Sequence, residues 1–108
     1  MSEISLKIYQ KDNKKAVEKT YSVDGYDLMF GTLEDFMNII DVDKLNDNKA
    51  VAKMVIDGYG QIKPLLKDIF PELTDEELKR TKVSDIARAI VQMGTAVIEN
   101  LGTLKQGN

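Results

Sequence analysis

The fold is decided by residues 69–101, which read IFPELTDEELKRTKVSDIARAIVQMGTAVIENL. Two helix starts lie in this stretch. Thr74 stands three residues before Glu77, the spacing of a capping box, in which a hydroxyl and a carboxylate each bind a free main-chain amide in the first turn of a helix. Ser84 stands directly before Asp85 and a long apolar-periodic run, so we expect it to cap a second helix.

The two helices that follow these caps differ in length. The first is short and is predicted from residue 75 to about residue 80. The second is predicted from residue 85 to about residue 101, with Gly102 ending it and residues 102–108 forming a flexible polar tail. Its apolar side chains recur at helical spacing along one stripe: Ile86, Ile90, Met93, Val97 and Leu101.

A further helical pattern begins near Lys49 and ends before Pro71. Gly58, Gly60 and Pro64 interrupt it. Because proline lacks an amide hydrogen and crowds the preceding turn, we expect either a kink or a break between residues 58 and 63. The apolar positions of this pattern are Val51, Val55, Tyr59, Ile62, Leu66 and Ile69.

An earlier helix is predicted to start at Thr32, which acts as its cap, and to run to about residue 40. Residues 41–48 are polar and are predicted to form a loop. The apolar face of this helix would bury Leu33, Phe36, Met37 and Ile40.

The amino-terminal part alternates between apolar and polar residues, as a half-buried strand does. Residues 3–10 and 16–23 are predicted to pair as an antiparallel hairpin around a polar turn. The fold class is therefore α+β, mostly α: one domain over residues 1–108, with a β-hairpin in 1–24, a four- to five-helix bundle in 32–101 and a tail in 102–108.

Composition limits the function. The 108 residues include no cysteine and no histidine, the formal net charge is −3, and charged residues make up 31%. We expect no disulfide, no catalytic residue, no cofactor site and no metal site. The acidic balance disfavours binding to nucleic acid or to an anionic membrane. The start of the chain lacks the basic flank and apolar block of a signal peptide, so a cytoplasmic location is expected.

Three features leave alternatives open. Asp41 and Asp43 begin a stretch like a calcium loop, but Ala52 stands where that loop needs a bidentate glutamate, so a solvated loop is favoured. Glu76 and Glu77 are adjacent acids for which helix capping is favoured over general acid–base catalysis. An enzyme that uses aspartate and glutamate with a divalent ion is a separate and less favoured alternative. Tyr59, between two glycines, is either a core residue or an aromatic side chain presented at a hinge.

The helices offer more apolar surface than a chain of this length is expected to hide, which suggests an interface. We expect partner contacts at Met93, Val97 and Leu101, with Tyr59 as a second candidate. An alternative is that this surface meets itself, giving a small homo-oligomeric structural or regulatory module.

Residues 66–101 also resemble the tail assembly chaperones of long-tailed phages and prophages of Gram-positive bacteria. The likeness is an L-T-x-E-E-L stretch followed by D-I and an apolar helix, with residues 31–36, GTLEDF, resembling an early helix of that family. The residues that carry it are Leu73, Thr74, Glu76, Glu77, Leu78, Asp85 and Ile86.

The resemblance implies a protein without enzymatic activity that binds the tape-measure protein and the tail-tube protein during tail morphogenesis. It implies a location in the bacterial host cytoplasm and absence from the mature virion. Members of that family are often made in a short form and a longer frameshifted form, and the polar ending of residues 102–108 would suit the short form.

Overall fold

The computed structural model describes residues 3–106, with side chains described as far as residue 100. The chain begins with two antiparallel strands, β1 (Glu3–Tyr9) and β2 (Val17–Asp24). Ile4, Leu6 and Ile8 alternate along β1 and are all fully buried. The predicted hairpin and its apolar face are confirmed.

Five α-helices follow within the described residues, joined by short turns, so the expected α+β, mostly α fold class is confirmed. Two 3-10 turns, Gly25–Asp27 and Val42–Lys44, lie before and after the first helix. The helices are α1 (Phe30–Ile39), α2 (Asn48–Asp57), α3 (Tyr59–Ile69), α4 (Asp75–Leu78) and α5 (Val83–Gln106).

The capping box at the start of α4 is confirmed. The Thr74 hydroxyl accepts a hydrogen bond from the Glu77 amide at 3.1 Å, and the Glu77 carboxylate accepts one from the Thr74 amide at 3.1 Å. The two residues therefore satisfy each other's main-chain donors, which helps a helix of only four residues to form.

The predicted caps of α1 and α5 are wrong. The first helix begins at Phe30, before Thr32, because the Thr32 and Leu33 amides donate to the Met29 carbonyl at 3.1 and 3.2 Å. The last helix begins at Val83, so Ser84 lies inside its first turn. In both places hydrogen bonds to a main-chain carbonyl begin the helix two or three residues earlier than the side-chain signal, and Thr32 is buried instead.

The glycine-proline region contains a break at Gly58. This residue ends α2, donating to the Met54 carbonyl at 2.8 Å, and its own carbonyl accepts from the Ile62 amide at 3.0 Å to begin α3. A Cβ at Gly58 would lie 3.0 Å from the Met54 carbonyl oxygen, so glycine suits this tight turn. Pro64 lies inside α3, which continues past it to Ile69.

The end of α5 also differs from the sequence expectation, because the helix continues to Gln106, past Gly102. A glycine inside a helix costs about 1 kcal/mol relative to alanine, which is too little to stop a helix that is already propagating. Most of the expected tail, residues 102–108, is therefore helical, and residues 107–108 lie outside the described part. Between residues 3 and 106 no helix has the length and apolar run needed to cross a bilayer.

Helix α5 is the centre of the fold, with the hairpin and α2 packed on it. The Ser5 amide donates to the Gln92 side-chain oxygen at 2.9 Å, and the Tyr9 hydroxyl donates to Asp85 at 2.7 Å. These two bonds hold β1 along the first half of α5. The core combines β1 with Phe36, Val51, Val55, Ile62, Leu66, Ile86, Ile90 and Met93.

Candidate protein-binding surface

Two exposed apolar side chains of α1, Phe30 and Met37, line a surface groove between α1 and α5. We call this the apolar groove. It has a volume of about 320 Å³. Phe30 is 78% exposed and Met37 is 52% exposed, and Met29, 75% exposed, stands directly before Phe30. The lining residues are Phe30, Leu33, Glu34, Met37, Asn38, Val97 and Asn100.

The spacing of α1 explains why these side chains share a face. Phe30, Leu33 and Met37 recur at intervals of three and four residues, so they lie above one another on the helix surface. The positions of Phe30 and Met37 are about 10 Å apart along the helix axis, or two turns. Phe36 points to another side of α1 and is fully buried, so this helix is apolar on two faces and only one of them is used by the core.

Helix α5 forms the other wall of the groove and is bonded to the residue that follows β2. Val97 lines the groove with the small part of its side chain that is not in the core. The Asn100 side-chain amide donates to the Ala96 carbonyl at 2.8 Å and to the Gly25 carbonyl at 3.3 Å. The groove therefore lies between α1 and a helix, α5, that this bond ties to the turn after β2.

The segment of the chain that contains α1 is acidic. Residues 24–43 contain six carboxylates and no lysine or arginine, and Glu34 is itself a lining residue. An apolar groove lined by Glu34 and formed in part by this acidic segment is complementary to an apolar stripe flanked by basic residues. The six acids are Asp24, Asp27, Glu34, Asp35, Asp41 and Asp43.

The structure separates the four residues expected to contact a partner. Tyr59 is 37% exposed at the start of α3 and does not line the groove. Met93 is fully buried and Val97 is 4% exposed, because β1 and α2 cover the stripe of α5 that the sequence shows as apolar surface. The side chain of Leu101 lies outside the described residues. Only after a displacement of the packed elements could a partner reach Met93.

One burial prediction for α1 is wrong and reveals what the sequence reasoning missed. Met37 was expected in the core, but Phe36 and Ile40, four residues apart, fill the buried face and leave Met37 on the outer one. A helix that starts after Thr32 leaves out Phe30, which is the first residue of α1 in the structure. The interval of seven residues between Phe30 and Met37 is the signal that could have identified this face.

The acids at the start of α4 do not line the groove and instead form ion pairs and hydrogen bonds. Glu76 pairs with Arg80 at 2.8 Å, and Glu77 pairs with Lys19 of β2 at 2.5 Å while accepting a hydrogen bond from the Tyr21 hydroxyl at 2.7 Å. Burial opposes the charge of Glu77, but the hydrogen bonds from Lys19, Tyr21 and the Thr74 amide outweigh it and lower its pKa to about 2. The cap thus also joins α4 to the hairpin.

The loop that was compared with a calcium site contains a 3-10 turn. The Asp41 carboxylate accepts a hydrogen bond from the Asp43 amide at 3.1 Å, which caps this turn. Within residues 3–106 no group of three or more histidine, cysteine, aspartate or glutamate side chains is placed to hold a metal ion.

No protein-family model, curated protein or solved structure matches this chain. The groove, with Glu34 among its lining residues, and the fold that holds it are the structural features on which the proposed function rests.

Proposed function

We propose that this protein is a non-catalytic tail assembly chaperone of a long-tailed phage or prophage, acting in the bacterial cytoplasm. Its partners would be the tape-measure protein and the tail-tube protein. The observation that carries the proposal is the apolar groove, where Phe30 exposes more than three quarters of its surface. The resemblance of residues 66–101 to that family supports the choice of partners.

The groove suits an amphipathic helix as its occupant. Phe30 and Met37 lie two turns apart, which matches the spacing of apolar anchors at positions i, i+3 or i+4, and i+7 of a partner helix laid between α1 and α5. Methionine adapts its shape to irregular partners, so Met29 and Met37 can accept different apolar side chains along one long target. Glu34 and the acidic segment that contains α1 favour stretches of that target in which basic residues flank the apolar ones.

The expected affinity of one site is modest. Burying three large apolar side chains, Met29, Phe30 and Met37, releases about 6 kcal/mol at about 2 kcal/mol each. Association itself costs several kcal/mol in lost freedom, so a single contact is weak. Many copies bound along one tape-measure molecule would act together by avidity, while each copy remains free to be displaced by tube protein.

The test is coexpression with a tape-measure protein from a long-tailed prophage of a Gram-positive bacterium, preferably the one encoded beside this chain. The native chain should increase the soluble fraction of the tape-measure protein and copurify with it. Phe30→Ser combined with Met37→Ser should lose both effects, since the two changes remove the exposed apolar anchors without touching the core.

Ile56→Ser is the matched control. Ile56 is 64% exposed on α2 and does not line the groove, so this variant should behave as the native chain does. Equal loss in Ile56→Ser and the groove variant would contradict the role of the groove. A native chain that neither binds nor solubilises the tape-measure protein would contradict the proposed function.

The same groove favours one alternative, a homo-oligomer in which two copies bury their apolar grooves against each other. Light scattering after size exclusion distinguishes the two. A dimer that persists at low micromolar concentration, becomes monomeric on Phe30→Ser and ignores tail proteins would support the alternative.

A further inference from the structure

A second cavity, of about 280 Å³, lies at the turn of the hairpin and gathers positive charge on a chain whose net charge is −3. We call it the lysine pocket. One wall comes from the end of β1 and the turn after it, and the other from the segment between α4 and α5. The lining residues are Tyr9, Gln10, Lys11, Lys14, Lys79, Arg80, Thr81 and Lys82.

The two walls are fixed to each other by hydrogen bonds. The Tyr9 amide donates to the Arg80 carbonyl at 2.9 Å, and the Arg80 guanidinium donates to the Tyr9 carbonyl at 2.8 Å. The same guanidinium pairs with Glu18 at 2.9 Å and with Glu76 at 2.8 Å. Arg80 therefore serves as a brace that holds the pocket open, and its charge is neutralised by carboxylates.

The four lysines are less neutralised than Arg80, although Lys11, after Arg80, also helps to lower the pKa of Glu76. Within the part of the chain that the structure describes, none of them has a carboxylate within 4.0 Å. The Lys82 amine instead lies 4.1 Å from the centre of the Tyr9 ring. Like charges gathered around one cavity repel each other, so an anion that enters it relieves this repulsion as well as gaining its own attraction.

The lysine pocket is distinct from the apolar groove. It adjoins the beginning of α5, where Asp85 accepts a hydrogen bond from the Tyr9 hydroxyl, whereas the groove is lined by Val97 of the same helix. Asp85 and Val97 are about 18 Å apart along the helix axis at about 1.5 Å per residue. The amino end of α5 directly follows Lys82, so the positive end of its dipole adds to the field of the lysines.

The chemistry of the pocket selects among anions. Arginine is the side chain that matches a carboxylate in a two-pronged geometry, and the one arginine here is already occupied. Lysine binds phosphate as a point charge, and a small space lined by four lysines suits several negative charges on neighbouring atoms. An acidic peptide spreads its charges along an extended chain and could not place them all in such a cavity.

We propose that the lysine pocket is a binding site for a compact polyphosphate group, such as pyrophosphate or the phosphate chain of a nucleotide. The cavity is slightly smaller than the roughly 300 Å³ at which pockets begin to enclose a whole drug-sized ligand. The phosphates would therefore lie inside, between the hairpin turn and the segment before α5, and any attached group would extend into solvent.

The proposal is tested by titrating the protein with pyrophosphate while recording amide chemical shifts by NMR. Shifts should be confined to the hairpin turn and to residues 79–82, should saturate below about 1 mM ligand, and should weaken as salt is raised. Lys11→Gln and Lys82→Gln should each weaken binding by about three- to tenfold. Both lysines are on the surface, and circular dichroism of each variant would verify that it is folded.

Lys53→Gln is the matched control, because it removes the same charge from α2, outside the pocket, and should leave the affinity unchanged. An equal loss in this variant would show that net charge alone is responsible and would overturn the proposal. So would a titration in which the pocket amides do not shift up to about 10 mM pyrophosphate. In a parallel arm with a short DNA duplex, tighter binding than that of pyrophosphate would assign the pocket to a nucleic-acid backbone and refute the assignment to a compact ligand.

Discussion

Replacing Glu77 by glutamine should destabilise the protein in a way that depends on pH. The carboxylate has one oxygen that accepts from Tyr21 and Thr74 and another that pairs with Lys19. Glutamine can keep the first set of hydrogen bonds, but its amide nitrogen would face the Lys19 amine, donor against donor. The change therefore removes the ion pair while leaving the helix cap largely in place.

The magnitude follows from the pKa of Glu77, which falls from 4.5 to about 2 in the folded protein. At about 1.36 kcal/mol per pH unit this difference is worth about 3 kcal/mol of folding free energy. The pKa of Lys19 is raised by the same ion pair, so it contributes no further folding free energy beyond this value. Because glutamine retains the neutral hydrogen bonds, we expect Glu77→Gln to lose about 2 kcal/mol at pH 7.

The sign of the pH dependence is fixed by the direction of the shift. A carboxylate whose pKa is lowered on folding contributes its full stabilisation above its unfolded pKa of 4.5, and this contribution is lost as pH falls toward about 2. The difference between the native chain and Glu77→Gln should therefore be constant from pH 7 to about pH 5 and should shrink below that.

Urea unfolding followed by circular dichroism at several pH values measures this difference. Glu72→Gln is the matched control, since it removes a carboxylate from the turn just before α4 whose side chain is exposed, and it should change the free energy of unfolding by less than about 0.5 kcal/mol. A loss in Glu77→Gln that is the same at pH 3 and pH 7, or that is no larger than that of the control, would refute the assignment of an ion pair to this site.

Two further predictions concern the helices. Met93→Ala should lower the free energy of unfolding by about 3 kcal/mol, because the Met93 side chain is fully buried. Ile98→Ala, on the exposed face of the same helix, should change it by less than about 0.5 kcal/mol. Similar losses for the two variants in urea unfolding would contradict the burial assigned to α5. Pro64→Ala should stabilise the protein by about 1 kcal/mol and raise its thermal midpoint, because alanine restores an amide donor for the Gly60 carbonyl inside α3. We expect this gain to exceed the loss that comes from the greater freedom of the unfolded chain. An unchanged or lower midpoint would show that α3 is already relaxed around the proline.

Local patterns in the sequence were enough to predict the hairpin and the start of α4. The alternation in β1 depends only on which residues share a face of a strand, and the capping box of Thr74 and Glu77 joins residues three apart. The break at Gly58 was one of two outcomes that the glycine and proline pattern allowed. Such features are short in range, so neighbouring residues determine them.

Tertiary packing decided which apolar surfaces are covered and where the charges meet. The stripe of α5 that contains Met93 looks like surface in sequence, but β1 and α2 cover it, while the second apolar face of α1 is left open with Phe30 on it. The lysine pocket joins residues that are far apart in the chain, Lys11 and Lys82 among them, because Arg80 braces the hairpin against the segment before α5. Periodicity shows that a helix has an apolar face, but only the positions of the other elements determine whether that face meets the core or remains for a partner.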